Sequence, residues 1–199
     1  SFTTRMTDID ISIPTALMSA QLNQFMKTHP DDYSSGWVSL ASVNDDFSTH
    51  VNNQHLSKTL VFEATDKYPW EVRVLGSVSK QIHKQAHTYP RKENGGILLG
   101  QYDEFSKTIY ISGLMAAPTD SKQTATRFIL GTQDVEEQLV NMAKQSNGKI
   151  AFSGTWHSHP NSEPPSGLDK STLKSLQAKT ELPIVMLVHT GGRIERIIE

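Results

Sequence analysis

Gly154-Thr155-Trp156-His157-Ser158-His159-Pro160-Asn161-Ser162-Glu163-Pro164-Pro165-Ser166-Gly167-Leu168-Asp169 holds the densest set of chemistry-bearing side chains in a sequence of 199 residues. Side chains two apart in a strand share a face. His157 and His159 therefore project together, with Ala151, Ser153 and Thr155, from a strand expected over 149–159. Ile150, Phe152 and Trp156 fall on the opposite, core-facing side. Pro160–Pro165 reads as a loop, and Ser166-Gly167-Leu168-Asp169 as the capped start of a helix, with Ser166 as the cap and Asp169 at the positive end. The turn can bring Asp169 back to the two imidazoles. Two His, one Asp and a water make a three-ligand zinc site with an open position, the catalytic type. Zinc there lowers the pKa of its water to about 7 and polarises a carbonyl oxygen.

The H-x-H pair alone carries little, because eight His in this chain place such a pair by chance roughly 0.3 times. The weight rests on the conjunction of H-x-H-P with P-S-x-x-D in a strand–loop–helix setting. An isolated His, such as His83, His87 or His189, reads as a surface or satisfied side chain rather than a ligand.

Composition narrows the chemistry further. There is no cysteine, which removes disulfides, thiolate zinc sites, iron–sulfur clusters and thiol nucleophiles, so a metal must sit on His, Asp or Glu. Nineteen Lys and Arg against twenty-one Asp and Glu give a net charge of −2, which argues against a dedicated nucleic-acid binder. The apolar runs at 95–100 and 183–188 are far shorter than the ~18 residues of a membrane span. No signal peptide is visible at Ser1, and a start without methionine suggests a processed or excised piece. A cytoplasmic address follows by default.

Outward from the motif, residues 71–199 alternate strands and helices. Val78, Ile82 and Ala86 mark a helix that stops before Pro90. Gly95–Tyr102 and Thr108–Leu114 form a hairpin across Asp103–Lys107. Pro118–Thr124 is a loop and Thr126–Leu130 a strand. Val135, Leu139, Met142 and Ala143 mark a second helix, closed by Asn147-Gly148. Leu173, Leu176 and Leu182 border a third. Pro183–His189 and Arg193–Ile198 make a last hairpin. The fold class is α+β, a mixed central sheet flanked by helices. Residues 1–70 are more polar and form an N-terminal appendage without a chemical motif. One helix is expected there from Pro14, through Met18, Leu22, Phe25 and Met26, with short strands at 37–40 and 60–62.

The motif resembles that of the JAMM (MPN-domain) metalloproteases: an upstream glutamate, then H-x-H, then S-x-x-D. The upstream element is Glu93-Asn94-Gly95-Gly96-Ile97-Leu98-Leu99-Gly100. The resemblance covers about residues 75–199. It implies an MPN/JAMM fold, cytidine-deaminase-like, for a catalytic domain over 71–199. It implies one Zn2+ per chain on His157, His159 and Asp169. Glu93 corresponds to the glutamate that deprotonates the water, and Ser166 to the serine that stabilises the oxyanion. Without the motif, Glu93 would read as an exposed turn residue.

The implied activity is cleavage of a peptide or isopeptide bond after the C-terminal Gly of a ubiquitin-like protein. The implied partners are that protein or its conjugates, with ubiquitin-activating-like and conjugating-like enzymes of the same operon or polypeptide. The absence of cysteine and the short 169–183 connection match the minimal, bacterial-type members. Six residues, Pro160–Pro165, separate His159 from Ser166, one fewer than the family's usual spacing. Two other readings stay open: a zinc hydrolase of a small amide or a sulfur-carrier adduct, and a non-catalytic MPN scaffold. The RadC-like branch carries H-N-H-P-S-G, from which Ser158 and Asn161-Ser162 depart.

Overall fold

The computed structural model describes residues 36–43, 49–56, 59–146 and 148–198. Contacts divide the chain into two compact units, Ser1–Lys58 and Thr59–Glu199. In the first, β1 (Gly36–Val43) and β2 (Thr49–Leu56) pair antiparallel, from Gly36 opposite Leu56 to Val43 opposite Thr49. The helix expected from Pro14 lies outside the described residues.

The second unit contains β3 (Leu60–Phe62), β4 (Glu71–Val74), α1 (Gly76–Thr88), β5 (Gly95–Asp103), β6 (Thr108–Ala116), β7 (Lys122–Gln123) and β8 (Phe128–Ile129). It continues through α2 (Val135–Gln145), β9 (Ala151–His159), α3 (Gly167–Gln177), β10 (Val185–Thr190) and β11 (Arg193–Ile198). Seven strands form one sheet in the order β11-β10-β9-β5-β6-β4-β3. The β9–β10 and β4–β6 pairs are parallel and the rest antiparallel, so the sheet is mixed, as expected. The unit takes in 59–70, which the composition shift places with the appendage. The reason is burial: Tyr68 and Trp70 join the core, and β3 pairs with β4.

β10 explains the layering. Its six residues are all buried, as expected of a strand covered on both faces. Val185 and Leu187 join a cluster with Val78 and Ile82 of α1, Trp156 of β9 and Ile109 and Ile111 of β6. Met186 and Val188 instead meet Leu173 of α3, with Ile197 and Phe152. α1 and α3 thus lie on opposite faces of the sheet. α2 buries no residue fully. Leu182, expected at the border of α3, lies beyond the helix end at Gln177 and is exposed. The strand expected over 126–130 shortens to Phe128–Ile129, paired with Lys122–Gln123 out of the expected loop.

The strict alternation read into 149–159 does not hold. Leu98 stands opposite Gly154 and Leu99 opposite Phe152, so Ser153 is an extra residue in β9. A bulge of this kind flips the face of everything upstream. Phe152 therefore packs on the α3 side with Met186, while Trp156 packs on the α1 side. Gly154 makes the turn of the backbone possible: its φ is +132°, and a Cβ would stand 1.8 Å from the Val185 carbonyl oxygen.

Candidate metal centre

Downstream of the bulge the alternation is regular. Thr155, His157 and His159 face α3, in parallel register with Met186, Val188 and Thr190. Both imidazoles are buried, and their Nε2 atoms lie 3.0 Å apart. The 160–165 turn fixes the second ring. The Nδ1–H of His159 donates to the Glu163 carbonyl at 2.8 Å, because a carbonyl can only accept. That leaves a lone pair on the Nε2 aimed at His157, the arrangement that orients metal-ligating imidazoles.

α3 begins with a reciprocal cap. The Asp169 N–H donates to Ser166 Oγ at 3.2 Å. The Asp169 Oδ2 accepts from the Ser166 N–H at 2.6 Å and from the Ser166 hydroxyl at 2.7 Å. The same carboxylate reaches the imidazoles: Oδ1 is 3.3 Å from the His157 Nε2, and Oδ2 is 3.5 Å from the His159 Nε2. Burial, the largest influence on Asp169, pushes its carboxyl up. Hydrogen bonds from His157 and Ser166, with the His157 charge, outweigh it and hold the group well below the usual carboxylate range. Three donors bonded at 2.0–2.1 Å to one tetrahedral ion stand roughly 3.3 Å from each other. Separations of 3.0, 3.3 and 3.5 Å fit that requirement.

Glu93 approaches from another side. Gly95 pairs with His157, and the Asn94 carbonyl accepts the Ser158 N–H at 2.7 Å, so Glu93 comes level with His159. It is buried, contrary to the exposed-turn reading, and its N–H donates to the Thr124 carbonyl at 2.8 Å. A carboxylate oxygen of Glu93 and ring nitrogens of His157 and His159 all lie within 4.8 Å, a group able to hold a metal ion; Asp169 is outside that grouping. The two carboxylates therefore address the imidazole pair from different directions. Burial pushes the Glu93 carboxyl up, against the pull of His157, His159 and the Phe128 N–H. Asn94 braces the segment: its Oδ1 accepts from the Gly95 N–H and from Gln123, both at 2.9 Å.

All five motif residues line one cavity of about 350 Å3, walled by residues 125–132 and by Leu168, Leu176 and Met186. The wall of 125–132 was invisible as a site element in the sequence, since it carries no motif. Phe128 closes against the strand at Gly95, where a Cβ would stand 2.5 Å from the ring. On the other face of the sheet the structure gathers His83, His87 and His189, which the sequence leaves unrelated.

The sequence pattern of the prokaryotic homologs of the JAB domain matches residues 76–196. The chain belongs to that family. The JAB region opens at the first residue of α1 and runs into β11, so β3 and β4 of the sheet lie ahead of it. A protein of Enterobacter hormaechei subsp. hoffmannii (strain UCI 50) named "CD-NTase/cGAS isopeptidase" is 35% identical over 103 residues. The match takes in 50% of this chain and 56% of that protein, so the chain spans little more than half of its relative. A protein of Desulfitobacterium hafniense with a known solution structure is 16% identical, with a TM-score of 0.36 over 59% of this chain and 74% of its own. No helix among the described residues of this JAB-family chain is long and apolar enough to cross a membrane.

Proposed function

We propose that this chain is a zinc-dependent isopeptidase or peptidase that cuts after the C-terminal Gly of a ubiquitin-like protein, with residues 59–199 as its catalytic unit. The observation that carries this reading is the convergence of His157, His159 and Asp169 at 3.0–3.5 Å, with buried Glu93 on a separate side of the same cavity. The isopeptidase name of the Enterobacter relative supports the same reaction class.

Zn2+ held by His157, His159 and Asp169 would acidify a water and polarise the scissile carbonyl. Glu93 takes a proton from the attacking water and passes it to the leaving amine. Its burial, which raises its pKa, makes the carboxylate a stronger base than a surface glutamate. Ser166 lies on the cavity wall, and its hydroxyl supports the oxyanion once it turns from Asp169. Leu168 and Ile129 line the cavity and stay half exposed, an apolar rim for an extended tail. A Gly before the scissile bond lets its carbonyl come close, because it has no Cβ.

The test offers the zinc-loaded chain a Gly-terminated ubiquitin-like fusion, the same fusion with that Gly changed to Val, and the free tail peptide. The name of the relative makes a conjugate of a CD-NTase/cGAS protein the further substrate to offer. Cleavage after the Gly, lost with Val and much slower on the peptide, is the expected result. Equal rates on fusion and peptide would remove the ubiquitin-like body from recognition and favour a small-amide substrate.

A further inference from the structure

α1 presents His83 and His87 one helical turn apart, the i and i+4 spacing that puts two side chains on one face. His189 of β10 is buried and comes up against them from the sheet. It stands in register with Ser158, so it projects to the face away from His157 and His159. The His189 Nε2 and the His83 Nδ1 lie 3.0 Å apart, the spacing also found between the Nε2 atoms of His157 and His159. The His87 Nδ1–H donates to the His83 carbonyl at 2.7 Å, which leaves the His87 Nε2 with its lone pair. The His87 ring centre is 5.7 Å from that of His189, so this exposed side chain becomes the third donor only by leaving the His83 carbonyl and turning toward the pair.

We propose that His83, His87 and His189 form a second metal site, for a divalent transition-metal ion, on the sheet face opposite the Glu93 cluster. Three imidazole nitrogens are a donor set suited to zinc, copper or nickel rather than to magnesium or calcium. Burial holds both His83 and His189 below the usual histidine range, and their neighbours add to it, which favours the uncharged ring that a metal ion needs. Two His on one helix and one on a strand tie α1 to β10. α1 leads into the segment that carries Glu93, and the Asn94 side chain donates to the Gln85 carbonyl of the same helix at 3.3 Å. A second ion there would tie α1 to β10 outside the cavity.

The test strips the full chain of metal, reloads it with Zn2+ alone, removes the excess and counts zinc per chain. His83→Gln should hold one equivalent fewer than the parent and keep its hydrolytic activity at saturating zinc. His87→Gln, on an exposed side chain, should weaken that equivalent at least tenfold, and it serves if His83→Gln fails to fold by circular dichroism. In Asp169→Ala the His83–His189 equivalent should remain, which separates this site from the one proposed for catalysis. Equal zinc content and affinity in the parent and in both histidine variants would overturn the proposal.

Discussion

The ring of His159 is held by the backbone of Glu163, four residues further on: its Nδ1–H donates to that carbonyl at 2.8 Å, and its other nitrogen is left facing His157 at 3.0 Å. A loop one residue shorter than the family's usual spacing still turns tightly enough to make this contact, with Ser162 in the left-handed region at φ 59°. The Glu163 carbonyl thus fixes the orientation of one imidazole of the pair.

Removal of one donor should empty the site. Asp169→Ala and His157→Ala leave two of the three proposed protein ligands, and apparent zinc affinity should fall at least a hundredfold. Equilibrium titration against a chelator of known affinity measures it. Parent-like affinity in both variants would contradict the ligand assignment.

Ser166→Ala separates two roles of one side chain. Loss of the cap on α3 should cost about 1 kcal/mol of stability, read by urea denaturation. Loss of an oxyanion donor should lower turnover per folded molecule roughly a hundredfold. A destabilised but fully active variant would leave Ser166 as a cap alone.

Tyr68 gives a pH-dependent prediction. Its hydroxyl is buried with no hydrogen-bond partner among the described residues, and burial, with Tyr102, pushes its pKa far above the usual tyrosine value despite Arg196. The folded state keeps this proton while the unfolded chain releases it near pH 10. The stabilising contribution is complete below pH ~10 and is lost as pH rises beyond it. Tyr68→Phe should flatten this alkaline limb and raise stability at neutral pH by about 1 kcal/mol, because an unsatisfied buried hydroxyl is removed. Melting curves from pH 7 to 11 test both effects; a less stable variant would mean that the hydroxyl has a partner.

Gly154→Ala should destabilise by at least ~2 kcal/mol, since the positive φ and the Val185 carbonyl both oppose a Cβ. His157 follows three residues later in the same strand, so zinc affinity should fall with it. A variant as stable as the parent would show that β9 can straighten at this point.

How far the sequence reaches is clearest along β9. The H-x-H and S-x-x-D residues are legible because strand and helix periodicities place them with few alternatives. The bulge at Ser153 is not, since nothing in Phe152-Ser153-Gly154 but the glycine hints at it; the paired register with β5 creates it. β4 is only four residues, Glu71–Val74, too short for a pattern to stand out, yet it carries core residues Val72 and Val74. β2, Thr49–Leu56, is rich in Asn, Gln and His and lacks the strand composition that marks β1's Trp37–Leu40. The cluster of His83, His87 and His189 spans more than a hundred positions, and only the packing of α1 on β10 brings it together. The buried state of Glu93 likewise depends on the 122–129 hairpin, which bears no motif of its own.

The most direct test is the turnover of a zinc-loaded Glu93→Gln variant on the Gly-terminated ubiquitin-like fusion, normalised to bound zinc. With His157, His159 and Asp169 as the proposed ligands, the variant should bind zinc and fold like the parent, and its zinc content checks this against the place of Glu93 beside the two imidazoles. An amide cannot accept the proton of the attacking water, and turnover should fall at least a hundredfold. Turnover within about tenfold of the parent, at equal zinc content, would contradict the account and leave the base of this site elsewhere.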